Sequence, residues 1–134
     1  MGRPSHDVTE AELAVLRELW HAGTATVRQL TDRLYPGGGA SAIATVQKLL
    51  ERLENKGAVG RRRQGSAYEF SPLLTRDELI GYRLRAVAEQ LCGGSITPLL
   101  TSLVRTKAMS ARERKELRGI LEELTGGEKT PSVR

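Results

Sequence analysis

The chain has 134 residues, 28% of them charged and 4% aromatic, with a formal charge of +5 and a single cysteine, Cys92. That length holds one domain, or a small domain with an appendage, because single cores take roughly 100 to 200 residues. One cysteine excludes an intrachain disulfide and fits a reducing compartment, and neither a signal-peptide core in MGRPSHDVTEAEL nor a membrane-length apolar run is present, so a cytoplasmic protein without membrane insertion is expected.

Thr9 with Glu12 forms a capping box, in which each side chain satisfies an amide that the first helical turn leaves unpaired. Leu13, Leu16, Leu19 and Trp20 follow at helical spacing, with Trp20 read as core, and Gly23 stops the helix. Thr26 with Gln29 repeats the arrangement for a shorter helix carrying Val27, Leu30 and Leu34, which Pro36 ends. GGGAS (37–41) is a connector, and Ser41 is expected to cap a third helix whose inner stripe is Ile43, Val46, Leu49, Leu50 and Leu53 and which Gly57 closes. Its outward side then carries Ala44, Thr45, Gln47, Lys48, Glu51, Arg52 and Lys56, with Thr45, Gln47, Lys48 and Arg52 able to donate hydrogen bonds outward.

Residues 58–62 and 67–71 read as two short strands joined by a turn containing Gly65, with Val59, Tyr68 and Phe70 pointing inward. Three helices followed by a basic-tipped hairpin is the element order of a winged helix-turn-helix.

Beyond Pro72, Thr75 with Glu78 caps a long helix that Gly93-Gly94 breaks, and Thr97-Pro98 opens a second. Ser110 with Glu113 caps a third, expected to end at Gly126-Gly127. The apolar residues of these helices are Leu79, Ile80, Leu84, Val87 and Leu91, then Leu99, Leu100, Leu103 and Val104, then Leu117, Ile120, Leu121 and Leu124. Burying each is worth about 1.5 to 3 kcal/mol, yet so small a segment seldom hides such a set internally. A second copy is the natural cover, so residues 75–125 are expected to build a two-fold homodimer, with all of these side chains except Ile80 as its dimerisation candidates. The fold class is therefore mainly α: a winged helix-turn-helix DNA-binding domain over 7–73, a helical dimerisation domain over 74–126 and a flexible tail over 127–134.

Charge concentrates in residues 41–63, where Lys48, Arg52, Lys56, Arg61, Arg62 and Arg63 face only Glu51 and Glu54, a local +4. A duplex DNA partner would account for it. A major groove admits one helix and rewards donors, which puts Thr45, Gln47 and Lys48 at base edges and Arg52 nearer phosphate, with Ser41 a further DNA-binding candidate at the start of the helix. Arg61, Arg62 and Arg63, with Gln64 and Ser66, would follow the sugar-phosphate backbone from the wing, and Arg28 would reach a phosphate from the start of the second helix. The plainer alternatives are a solvated helix face and a charged strand edge that blocks aggregation. Strand alternation sends Arg61 and Arg63 one way and Arg62 the other.

Nothing in the sequence supports catalysis. GGGAS lacks the Lys-Ser/Thr of a phosphate loop, no nucleophile has a matching base, and His6 and His21 lack metal-ligand spacing, so no cofactor and no metal is expected. The competing class is a winged-helix protein-interaction module without sequence-specific DNA binding, which would tolerate salt and loss of the arginines.

VTEAELAVLRELW (8–20), TVRQL (26–30), TVQKLLERLENKGAVGRRRQGSAYEFSPLL (45–74) and GGSITPLLTSLVRTKAMSARERKELRGILEEL (93–124) resemble the penicillinase-repressor, or BlaI/MecI, family of transcriptional regulators. The resemblance spans about residues 7–125 and is most specific in Thr45, Val46, Leu50, Arg52, Leu53, Lys56 and Gly57. It implies a winged-helix repressor that dimerises through its C-terminal helices on a two-fold-symmetric operator. It also implies a membrane-bound zinc metallopeptidase sensor as partner and release by cleavage within the dimerisation helices, a region that corresponds to Thr101, Ser102 and Leu103. The family's Asn-Phe is absent from that bond, Ala44 and Lys48 stand where the family often has Thr, and the cysteine-rich tail of the copper-responsive branch is missing.

Overall fold

A computed structural model describes residues 7–106 and 109–128, without the side chains of 125–128. Two compact units divide the chain, one running to Arg83 and the other starting at Leu84.

The first unit is built on caps that close as the sequence predicts. The Thr9 hydroxyl accepts from the Glu12 amide at 3.2 Å while Glu12 Oε1 accepts from the Thr9 amide at 3.0 Å, opening α1 (Glu10–Ala22). Thr26 and Gln29 do the same, at 3.2 and 2.9 Å, for α2 (Val27–Leu34). The third start differs. α3 (Gly39–Asn55) begins ahead of Ser41 and has no side-chain cap, because glycine backbone turns the chain into the helix: Gly37 and Gly39 take φ of +74° and +70°. A Cβ on Gly38 would stand 2.4 Å from that of Ala42, so only glycine fits there. Ser41 consequently lies inside the helix, where its carbonyl accepts from the Thr45 hydroxyl at 3.1 Å.

The hairpin comprises β1 (Val59–Gln64) and β2 (Ala67–Pro72), paired antiparallel from Val59 opposite Pro72 to Gln64 opposite Ala67. Gly65, at φ +64°, makes the turn. A third, single-residue rung joins it: Ala25, between α1 and α2, exchanges backbone hydrogen bonds of 3.0 and 2.8 Å with Phe70. The wing is thereby tied to the helices at its base.

Val15, Leu16, Leu19, Leu30, Val46, Leu50 and Leu53 meet in a core that Ala58, Val59, Phe70 and Leu74 close from the hairpin side. Trp20 packs against it half-buried, its Nε1–H donating to the Leu74 carbonyl at 2.8 Å. Two expectations change here. Tyr68 shares the Phe70 side of β2 but lies nearer the tip, beyond the reach of the core, and is 41% exposed. Leu79, expected on a dimer face, is 4% exposed because the first turns of α4 (Arg76–Leu91, capped reciprocally by Thr75 and Glu78) pack on the first core. The compact unit accordingly runs past the expected boundary at 73/74.

Glu12 is buried and meets Lys56 Nζ at 2.6 Å, joining the start of α1 to the end of α3. Burial works to raise its carboxyl, but the Lys56 ammonium and the Thr9 amide outweigh that and hold it below the usual value. Lys56, expected on the outward face, is therefore a structural cation.

The second unit holds the rest of α4, α5 (Thr97–Arg105) and α6 (Ala111–Glu128), with Gly93 and Gly94 at φ +60° and +91° breaking the chain after α4. Ser110 and Glu113 cap α6 as expected. The helix runs through Gly126-Gly127, where a stop is predicted; glycine in a helix costs only about 1 kcal/mol relative to alanine. Residues 129–134 of the expected tail lie outside the described residues.

Among the large apolar side chains of this unit, Leu84, Leu91, Leu100, Leu103, Val104, Ile120, Leu121 and Leu124 are exposed, as is Ile96, while Val87, Leu99 and Leu117 are half-buried. Ala88 is its buried apolar residue among those described.

Candidate nucleic-acid interface

The inner stripe of α3 is locked into the core, which fixes the rotation of the helix and presents the opposite side to solvent. Ser41, Ala44, Thr45, Lys48 and Arg52 line a shallow groove along that exposed side. On its other flank, Gln47 and Glu51 face a second groove shared with Thr26 and Arg28 at the start of α2 and with Arg61 and Tyr68 of the wing. One helix thus has a concave strip on either side.

Among the described residues, Arg28, Lys48, Arg52 and Arg62 form no ion pair, so their charge is open to an anionic partner. Gln47 is exposed beside them. The Thr45 hydroxyl differs from the expected outward donor: its proton goes back to the Ser41 carbonyl, which leaves its lone pairs as acceptors.

The three wing arginines are not equivalent. Arg61 makes a two-pronged pair with Glu54 at the end of α3, Nε to Oε2 at 2.8 Å and Nη2 to Oε1 at 2.7 Å. Its guanidinium also lies over the rings of Tyr68 and Phe70, 4.9 and 5.0 Å from their centroids. The Arg61 hydrogen bond holds the Glu54 carboxyl below its usual value, and Glu54 in return raises Arg61. Arg63 stands on the same face as Arg61, as alternation predicts, 5.4 Å from the Tyr68 ring and with Nε donating to the Gly65 carbonyl at 3.3 Å. Arg62 has the opposite orientation, with Glu69 as its cross-strand neighbour. Gln64, Gly65 and Ser66 form the exposed tip.

Sequence reasoning therefore locates the cations but misses Glu54 as the partner of Arg61 and Tyr68 as a shelf for two guanidiniums. Only the strand register, with Arg61 opposite Phe70 and Arg63 opposite Tyr68, could have signalled the shelf.

The chain from residue 8 to residue 123 matches the family model described as "Penicillinase repressor". The chain belongs to the penicillinase repressor family. Members of that family are transcriptional regulators. The chain is 33% identical over 120 residues to "Transcriptional regulator BlaI" of Mycobacterium tuberculosis, covering 88% of this chain and 85% of that one. It is 23% identical to the "Penicillinase repressor" of Bacillus licheniformis, covering 87% of this chain and 90% of the relative. Among solved structures, the DNA-binding domain of the repressor BlaI matches with a TM-score of 0.49 and 22% identity, over 57% of this chain and 93% of that one.

Among the described residues no helix is long and apolar enough to cross a membrane, and no cluster of three or more His, Cys, Asp or Glu is placed to hold a metal. His6 lies outside the described residues.

Proposed function

We propose that this regulator is a DNA-binding repressor that acts as a homodimer on a two-fold-symmetric operator. One observation carries the reading: two concave strips run along the solvent side of α3, one lined by Thr45 and the unpaired Lys48 and Arg52, the other by Gln47 and, from the start of α2, the unpaired Arg28. In this reading α3 enters a major groove, Gln47 and Lys48 address base edges, and Ser41 and Thr45 present oxygen acceptors to base amino groups. Arg28, Arg52, Arg62 and Arg63, with Gln64 and Ser66 at the tip, position the protein on the sugar-phosphate backbone.

Two copies pair through the exposed leucine, isoleucine and valine side chains of the second unit. Pairing doubles the contacts, and half-sites then lie about one helical turn, roughly 10 base pairs, apart. Cutting or loosening residues 84–125 derepresses. Ser102 and Leu103 lie on α5 and are exposed; a metallopeptidase sensor acting there, directly or indirectly, must first unwind a helix of 9 residues, a short one.

The test is capture and sequencing of genomic fragments on the purified full chain, followed by binding at several salt concentrations. Enrichment of an inverted-repeat motif, with log affinity falling linearly with log salt, is the expected result. Retention of no fragment in dilute buffer ends the proposal.

A further inference from the structure

We propose that Glu54 is a positioning residue which, through Arg61, braces the wing against α3, so that Arg61 holds the wing in place while Arg63 makes the phosphate contact on that face. The inference rests on the DNA-binding reading above and assigns unequal roles to three adjacent arginines.

The geometry separates them. The Glu54 and Arg61 side chains are 25% and 38% exposed, and the two bonds between them span the tight connection Lys56-Gly57-Ala58 from the last turn of α3 to the middle of β1. Arg61 rests on the ring of its cross-strand partner Phe70, itself buried in the core, and on that of Tyr68. Helix end, strand and core are thereby joined through one guanidinium. To meet a phosphate, Arg61 would have to give up a bidentate carboxylate and two ring faces, leaving the Glu54 charge close to the DNA backbone.

Arg63, two residues nearer the tip on the same face, has no carboxylate among the described residues. It stacks on Tyr68 and makes one long bond to the Gly65 carbonyl, so its charge remains available. The brace sets the distance between this cation and the strip of Thr45, Lys48 and Arg52 on α3.

The experiment measures the salt dependence of affinity for a short fluorescent duplex enriched from a random-sequence library on the wild-type full chain. E54Q, R61Q, R61K and R63Q are compared, with unfolding midpoints confirming that each variant is folded. R63Q should flatten the slope of log affinity against log salt by about one unit. E54Q and R61Q should leave the slope unchanged while weakening binding roughly tenfold at every salt concentration. R61K keeps the charge but not the two-pronged geometry, and should weaken binding much as R61Q does.

A slope flattened by R61Q as much as by R63Q, an R61K variant with wild-type affinity, or an E54Q variant that binds equally or more tightly would overturn the brace. Wild-type protein that binds no duplex would overturn the DNA-binding reading and the brace together, an outcome distinct from all the others.

Discussion

The two units solve the problem of apolar surface in opposite ways. In the first, Val15, Leu16, Leu19, Leu30, Val46 and Leu53 are fully buried, and even Trp20 has its indole N–H satisfied. In the second, Leu91 is 78% exposed and Leu124 63%. Both units carry leucine at helical spacing, so composition does not separate them. The difference lies in what covers the stripes: the first unit has a hairpin and three crossing helices, whereas the second leaves whole helix faces open. The first unit closes its own core; the faces left open in the second are those through which the proposed pairing would run.

The sharpest way to break this comparison is at the centre of the closed core. Leu53→Ala should cost about 2 to 5 kcal/mol, read from urea unfolding, because it removes buried contacts and leaves a cavity. The same measurement on Leu91→Ala should move far less than that, and equal losses would erase the distinction between the units.

The position of a cut tests where the first core ends. A chain cut after Arg83 keeps Leu74, the Trp20 acceptor, and Leu79, and should retain the helical circular dichroism and Trp20 emission of this unit while binding duplex DNA far more weakly than the full chain. A cut after Ser71 strips both residues and should lower the unfolding midpoint markedly. Equal duplex affinity for the full chain and the chain cut after Arg83 would remove pairing from the mechanism.

The open faces are probed by the double change Ile120→Ser with Leu124→Ser. It should leave unfolding of the first unit unchanged and shift the sedimenting species to a single subunit at micromolar concentration. A wild-type chain that already sediments as one subunit would refute the homodimer.

The smallest effect concerns acid. Glu12 and Glu54 both titrate below their ordinary value of 4.5. A carboxyl with a folded value below its unfolded one contributes stability that is complete above the unfolded value and disappears as pH falls through the folded value. The urea midpoint should therefore fall as pH drops below about 4.5, and Glu12→Gln should flatten that decline while lowering stability at neutral pH.

Much of the fold was legible because local chemistry decides it. Thr9, Thr26, Thr75 and Ser110 each find their partner three residues on, and no distant residue can cancel that. Where sequence reading fell short, longer-range geometry prevailed. Ser41 lost its cap to a glycine backbone, Leu79 was drawn into the first core, and Lys56 turned from an outward cation into the partner of Glu12, 44 residues away. At the candidate site, the identity of the exposed α3 residues followed from the period of the inner stripe. The unequal state of Arg61, Arg62 and Arg63 did not, because it depends on hairpin register and on Glu54 from another element.

The rung between Ala25 and Phe70 has a dynamic consequence. Its two amides donate to each other's carbonyls beside a core side chain, so both should exchange with solvent deuterium only on global opening of the unit, at matching rates. The amides at Gly65 and Ser66 should exchange orders of magnitude sooner. The hairpin would then behave as a lever with a rigid root and a quick tip, able to adapt its last residues to a surface without disturbing the helices that carry it.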